Sequence, residues 1–114
     1  MKILVLESSG LVASVAVVTE EKLIGEYTTN FKKTHSQTLL PMMDTLLKMI
    51  GIPVQEMDAI AVSGGPGSFT GLRIGSATAK GLGLALSIPI ISVPTVDAIA
   101  YNLCGTDAVV CPLM

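Results

Sequence analysis

Short hydrophobic segments separated by polar turns dominate the first part of the chain. Lys2–Leu6 is an apolar run, Leu11–Thr19 is rich in valine, and Lys22–Phe31 alternates loosely between apolar and polar residues. Such segments are typical of β-strands. Turns at Ser8–Gly10 and at Glu20-Glu21 separate them. The pattern therefore predicts an antiparallel meander of three strands.

After the meander, the hydrophobic positions take a helical period that alternates with short apolar runs. Helices are predicted at His35–Ile50, Thr70–Ser87 and Pro94–Cys104, and strands at Ala59–Ser63, Ile88–Val93 and Ala108–Leu113. Thr34 or Ser36 can cap the first helix, and Gly51 ends it. Strand–helix–strand units favour parallel pairing through right-handed crossovers. The order βββαβαβα predicts an α/β lobe of the ribonuclease-H-like (actin-like ATPase superfamily) fold, with a mixed five-stranded sheet.

The last predicted strand, Ala108–Leu113, has no partner left in the sequence. We therefore expect residues 1–106 to form one lobe and residues 107–114 to begin a second lobe that is absent from this chain. A strand without neighbours leaves its backbone groups unsatisfied, so we expect it to be disordered or to pair with another copy of the chain.

Composition narrows the possible classes of function. The chain has 114 residues, of which 50% are hydrophobic and 14% charged, with a net charge of -2 and no basic stripe. Direct binding of nucleic acid is therefore not expected. The most apolar stretch, Leu82–Val96, is broken by Pro89 and Pro94, which argues against a membrane span. Cys104 and Cys111 are interpreted as buried thiols in a reducing cytoplasm.

The two longer helices have more apolar surface than a helix lying on a sheet needs. On the first helix, one contiguous half of the wheel is apolar and comprises Leu39, Leu40, Met42, Met43, Leu46, Leu47, Met49 and Ile50. This surplus could pack on the neighbouring helix instead of on another protein. The second helix is apolar all round and carries small residues at a spacing of four, namely Gly71, Gly75, Ala79 and Gly83. Small residues allow another helix to approach closely.

A helix that is apolar on nearly all sides must be buried on nearly all sides, which favours a partner protein in so small a lobe. The predicted partner interface comprises Leu39, Met42, Met43, Leu46, Met49, Ile50, Leu72, Gly75, Ala79 and Leu82.

A glycine-rich loop joins the fourth predicted strand to the second helix. It lacks the lysine of a Walker loop, because Leu72 and Arg73 follow Gly71, and it has Thr70 where a dinucleotide fingerprint needs glycine. We interpret it as a tight turn in which Ser68 or Thr70 caps the helix. Weak anion binding at the helix N-terminus stays open.

Taken whole, the loop resembles the signature of the bacterial TsaB (YeaZ) family. The matching residues are Gly65, Pro66, Gly67, Ser68, Phe69, Thr70, Gly71, Leu72, Arg73, Ile74 and Gly75. Segments His35–Pro41, Ala79–Leu82 and Val93–Ala98 are similar to the family as well. The resemblance extends over the whole chain and corresponds to the N-terminal lobe of such a protein.

The resemblance implies a cytoplasmic, non-catalytic scaffold subunit in the synthesis of N6-threonylcarbamoyladenosine at position 37 of transfer RNA. It implies pairing with the catalytic paralogue TsaD, largely through the two helices described above, and contact with the ATPase TsaE in the assembled complex. Transfer RNA would be bound only through that complex. Alone, the chain is expected to form a homodimer.

Comparison with the catalytic paralogue, a glycoprotease homologue, implies that no metal or other cofactor is bound. The paralogue carries a His-x-Glu-x-His site where this chain has Thr95, Asp97 and Ile99, and the chain's one histidine, His35, lies on another element. The family's first strand usually ends in Asp-Thr-Ser, whereas this one ends at Glu7. In actin-like ATPases an acid there positions magnesium, but we interpret Glu7 as a solvated turn residue.

Two enzymatic alternatives remain. The chain could be a lobe of an actin-like ATPase or kinase, or a metallopeptidase of the glycoprotease type. The first lacks an evident aspartate in the first turn, and the second lacks the histidines.

Overall fold

The computed structural model describes residues 1–29 and 35–101, with only the backbone for residues 35–38. The elements in these ranges are β1 Ile3–Glu7, β2 Ala13–Val18, β3 Leu23–Thr29, α1 His35–Ile50, a short 3-10 helix Val54–Glu56, β4 Ala59–Ser63, α2 Phe69–Leu86, β5 Ile90–Val93 and α3 Thr95–Tyr101. Their order confirms the predicted βββαβαβα. The predicted strand Ala108–Leu113, Cys104, Cys111 and the expected boundary after residue 106 lie outside the described residues.

The strands form one sheet with β1 in the middle, in the order β3-β2-β1-β4-β5. β1 pairs with β2, and β2 with β3, in antiparallel fashion, whereas β1 with β4 and β4 with β5 are parallel. The register places Leu6 between Val15 of β2 and Val62 of β4. This arrangement confirms the predicted mixed sheet, in which a meander comes first and helical crossovers follow.

The hydrophobic core lies between one face of the sheet and the two longer helices. Side chains alternate along a strand, so Leu4 and Leu6 share a face, and their register partners Val15, Val17 and Ile60 are buried with them. α1 contacts β2 and β3, and α2 contacts β4 and α1. Each fully buried leucine side chain contributes about 1.5–3 kcal/mol, so this layer holds both helices on the sheet.

Local backbone chemistry sets the ends of the helices. Gly51 follows α1 with a φ of 73°, and its N–H donates to the carbonyl of Leu47 at 3.0 Å. Ser68 caps α2, because its side chain accepts a hydrogen bond from the N–H of Gly71 at 3.2 Å. Among the described residues, no helix has the length and hydropathy of a membrane-spanning segment.

The small-residue stripe of α2 faces the chain's own sheet. Gly71, Gly75, Ala79 and Gly83 are all buried. A Cβ atom at Gly75 would lie 2.3 Å from Ser8 Oγ, and one at Gly83 would lie 2.9 Å from Ile90 Cγ1. The expectation that this stripe admits a partner helix was wrong, since the close approach it permits is that of α2 to β1, β4 and β5.

Candidate functional site

Three parallel strands end at the same edge of the sheet, where ligands of α/β folds commonly bind. β1 ends at Glu7, β4 at Ser63 and β5 at Val93. The chain leaves this edge through the Ser8–Gly10 turn, through the glycine-rich loop and into α3. The signature loop therefore lies at this edge. Thr95, Asp97 and Ile99, which correspond to the metal site of the paralogue, follow β5 at the same edge.

Glu7 is the centre of a hydrogen-bonded cluster at this edge. Its Oε1 atom accepts from the backbone N–H of Ser9 at 2.7 Å and also from the Ser9 hydroxyl, while its Oε2 atom accepts from the Ser63 hydroxyl. The carboxylate is half-buried. The interpretation of Glu7 as a solvated turn residue was therefore wrong, because its side chain ties the first turn to the end of β4.

The glycine-rich loop is held on one side by α3. The Gly65 carbonyl accepts from the Thr95 N–H at 2.8 Å, and the Gly65 N–H donates to Thr95 Oγ1 at 3.2 Å. Gly65 has a φ of 107°, where glycine is favoured, and its bond to Pro66 is cis. This pair of hydrogen bonds supports the interpretation of the loop as a tight turn.

The first turn of the chain holds the loop on its other side. The Ser68 N–H donates to the Ser9 carbonyl at 2.7 Å. Gly67 lies so close that a Cβ atom there would be 2.6 Å from the Ser9 carbonyl oxygen. The glycines of the signature thus serve close packing between the loop and the turn after β1.

Thr95, Asp97 and Ile99 correspond in sequence to the ligands of the paralogue's metal site, and they differ from one another in exposure and contacts. Thr95 is only 3% exposed and uses its hydroxyl on the loop, whereas Asp97 and Ile99 are exposed. Within the described residues, no group of three or more His, Cys, Asp and Glu side chains is placed to hold a metal ion. The side chain of His35 is outside the described part of the chain.

A cavity of about 390 Å³ opens beside Glu7 at this edge. Its lining combines Glu7, Ser9 and Thr95 with the apolar Leu11 and Ile99. Both oxygens of the one acid in this lining already accept hydrogen bonds from serine. The arrangement is therefore suited to holding the loop in place, and among the described lining residues no basic side chain complements the acid.

Replacing Thr95 with valine is expected to lower the free energy of unfolding by about 1–3 kcal/mol, because the Gly65 N–H then loses its acceptor in a partly buried place. The measurement is urea unfolding followed by circular dichroism. Thr45 is exposed on α1, so Thr45→Val is the matched control and should change stability by no more than about 0.5 kcal/mol. Equal effects of both substitutions would contradict the role given to Thr95.

The residues of the predicted partner interface divide into three groups. The buried ones are Leu39, Met42, Leu46, Gly75 and Ala79. The half-buried ones, three of which pack against the core, are Met43, Ile50, Leu72 and Leu82. Met49 is 79% exposed. In this structure the buried group serves the chain's own core and presents little surface to a partner.

The outer face of α2 supplies apolar surface that the predicted interface did not include. Leu84 is 85% exposed, and Ala77, Gly81 and Ala85 are exposed beside it at a spacing of four residues. The helical wheel contains these positions, but it does not show which side of the helix meets the sheet. On α1, Leu40 is likewise exposed although the interface did not include it.

Comparison with known proteins gives consistent similarities. Residues 22–114 match the model of the family described as TsaD: tRNA N6-adenosine threonylcarbamoyltransferase. The chain is 36% identical over 113 residues to the tRNA threonylcarbamoyladenosine biosynthesis protein TsaB of Bacillus subtilis, covering 99% of this chain and 49% of that protein. It is 35% identical to the TsaB of Escherichia coli, covering 90% of this chain and 44% of that protein. The chain thus spans about half the length of the curated relatives it matches.

A solved structure shows the same architecture. YeaZ from Pseudomonas aeruginosa superposes with a TM-score of 0.80 at 34% identity, covering 93% of this chain and 50% of that one. The match supports the predicted ribonuclease-H-like fold, and it agrees with the resemblance carried by the signature loop.

Proposed function

This chain belongs to the TsaD family and is similar to its TsaB (YeaZ) members, and on that premise we propose that it acts as a non-catalytic subunit in N6-threonylcarbamoyladenosine synthesis on transfer RNA. Its partner is the catalytic paralogue TsaD. The ATPase TsaE and the transfer RNA associate with the assembled pair, in the cytoplasm. Without TsaD, the chain forms a homodimer.

The observation that carries the proposal is the exposed apolar surface of α2. Leu84 projects from a face where Ala77, Gly81 and Ala85 present little more than backbone. A large side chain beside a flat strip of small residues suits the packing of a partner helix, which can approach the small residues closely. Exposed apolar patches of this kind mark protein–protein interfaces.

α1 contacts α2, so part of the outer face of α1 adjoins this surface. Met49 is exposed on α1, and its place in the interface predicted by the sequence stays a prediction. We define the docking surface as Ala77, Gly81, Leu84 and Ala85. These exposed positions replace the buried members of the interface predicted by the sequence.

The hydrogen-bonded cluster at Glu7 supports the proposal that this chain is a non-catalytic subunit. Its carboxylate accepts hydrogen bonds at both oxygens from structural serines, one of which belongs to another strand. A general base needs a lone pair directed at a substrate, and three of the roughly four acceptor sites of this carboxylate are occupied by donors of Ser9 and Ser63. The Glu7 carboxylate instead positions the loop, so the reacting groups come from the partner.

Depleting the chain in its own cells is expected to lower the N6-threonylcarbamoyladenosine content of transfer RNA, measured by mass spectrometry of nucleosides. Cells supplied with the Glu7→Gln variant should regain the modification, because the amide oxygen can accept from Ser9 while the amide NH2 donates to the Ser63 hydroxyl, which can also act as an acceptor. An unchanged modification level after depletion would contradict the proposed pathway. A Glu7→Gln variant that folds but restores nothing would contradict the non-catalytic role.

A further inference from the structure

A second cavity, of about 640 Å³, lies between α2 and the edge strand β5. Its walls come from β4, the glycine-rich loop, α2 and β5, and none of its described lining residues belongs to α1. Val62, Leu72 and Ile90 line it with apolar surface. The volume is that of a small-molecule site, and the cavity shares only Ser63 with the cluster at Glu7.

Two positively charged side chains, those of Arg73 and Lys80, line this cavity. None of its described lining residues carries a carboxylate. Arg73 and Lys80 lie seven residues apart on α2, which places them about 10 Å apart along the helix axis and on one side of it. In the described part of the chain, neither takes part in an ion pair, whereas Lys2 and Lys48 each pair with an acid. The cavity therefore concentrates positive charge that the chain itself does not neutralise.

Hydroxyl groups and an aromatic ring complete the lining. Ser76 and Ser92 can donate hydrogen bonds, and Phe69 is 74% exposed at the mouth. The Arg73 guanidinium lies 5.3 Å from the centre of the Phe69 ring. A guanidinium held near a ring in this way keeps N–H donors available for an anion, and the ring remains available to an apolar group.

We propose that this cavity binds a small phosphomonoester whose ester group is aromatic or apolar. The phosphate carries nearly two negative charges at neutral pH, which suits a cavity lined by a lysine and an arginine. Serine hydroxyls satisfy the remaining phosphate oxygens. The ester group packs on Phe69 and on the aliphatic wall formed by Leu72 and Ile90.

Titration of the chain with phenyl phosphate, inorganic phosphate and benzoate, followed by amide chemical shifts, tests this site. Phenyl phosphate should shift the amides of the cavity and bind at least about fivefold more tightly than either other probe. Inorganic phosphate binding as tightly as phenyl phosphate would overturn the assignment of an apolar group. Benzoate binding as tightly would overturn the assignment of a phosphate.

Charge-neutral variants locate the site. Arg73→Gln and Lys80→Gln should each weaken phenyl phosphate binding at least about fivefold, since each removes one charged donor. Lys48→Gln removes the same charge from α1, outside the cavity, and should leave the affinity within about twofold. An equal loss in all three variants would overturn the proposal, because it would indicate attraction to the net charge alone. Binding here needs no partner protein, so its failure leaves the docking surface untouched.

Discussion

Replacing Gly75 with alanine is expected to lower the free energy of unfolding by about 2–4 kcal/mol, through steric overlap under α2. The new methyl group would lie 2.3 Å from Ser8 Oγ and 3.4 Å from Val62 Cγ2. Ser8 is buried, and its hydroxyl donates to the Gly71 carbonyl at 2.7 Å. The overlap therefore either breaks this buried hydrogen bond or lifts the helix from the sheet.

Gly81 provides the matched control on the same helix. A Cβ atom at Gly81 would meet nothing within 4 Å, so Gly81→Ala adds helix propensity without overlap. It should raise the free energy of unfolding by about 0.5–1 kcal/mol. Urea unfolding followed by circular dichroism gives both values. Changes of the same sign would contradict the placement of Gly75 against the sheet.

Replacing Leu46 with aspartate is expected to unfold the chain, with a loss above about 4 kcal/mol. Leu46 is 4% exposed and belongs to the core cluster between α1 and the sheet. Its side chain also lies against Gly25 of β3, where a Cβ atom would be 3.1 Å from Leu46 Cδ1. A carboxylate in that place loses its hydration among the apolar side chains of the core cluster.

Met49→Asp on the same helix should change the free energy of unfolding by no more than about 0.5 kcal/mol, because Met49 is largely exposed. Thermal unfolding measures the stability of both variants, and size-exclusion chromatography measures whether each variant is a monomer. If Leu46→Asp stayed folded and only became monomeric, Leu46 would be an interface residue, and its place in the core would be wrong.

The order of elements followed from the sequence because hydrophobic period and turn chemistry are local properties. The bounds of α1 and β4 agree with those predicted, since Gly51 ends the helix and β4 is a short, nearly continuous apolar run. Ser68 acts as the predicted cap of α2. Strand ends differ by a few residues, because pairing with neighbours, and not local pattern, decides where a strand stops.

The site was less accessible to sequence reasoning because its contacts join distant segments. Ser63 lies 56 residues from Glu7, and Thr95 lies 30 residues from Gly65, so neither hydrogen bond leaves a local pattern. The helical wheel of α2 has apolar residues on all sides, so it did not indicate which side of the helix faces the sheet. Packing resolves this, since only glycine and alanine fit where the helix axis approaches β1 and β4.

Sedimentation velocity of the chain mixed with TsaD tests the docking surface most directly. The unaltered chain should form a complex, and Leu84→Asp should weaken it at least tenfold, because it places a charge at the centre of an apolar contact. Leu11 is 89% exposed in the segment between β1 and β2, beside Ala98 and Ile99 of α3, and it is not part of the docking surface, so Leu11→Asp should leave the complex intact. No complex with the unaltered chain, or equal loss in the two variants, would contradict the assignment of partner binding to the outer face of α2.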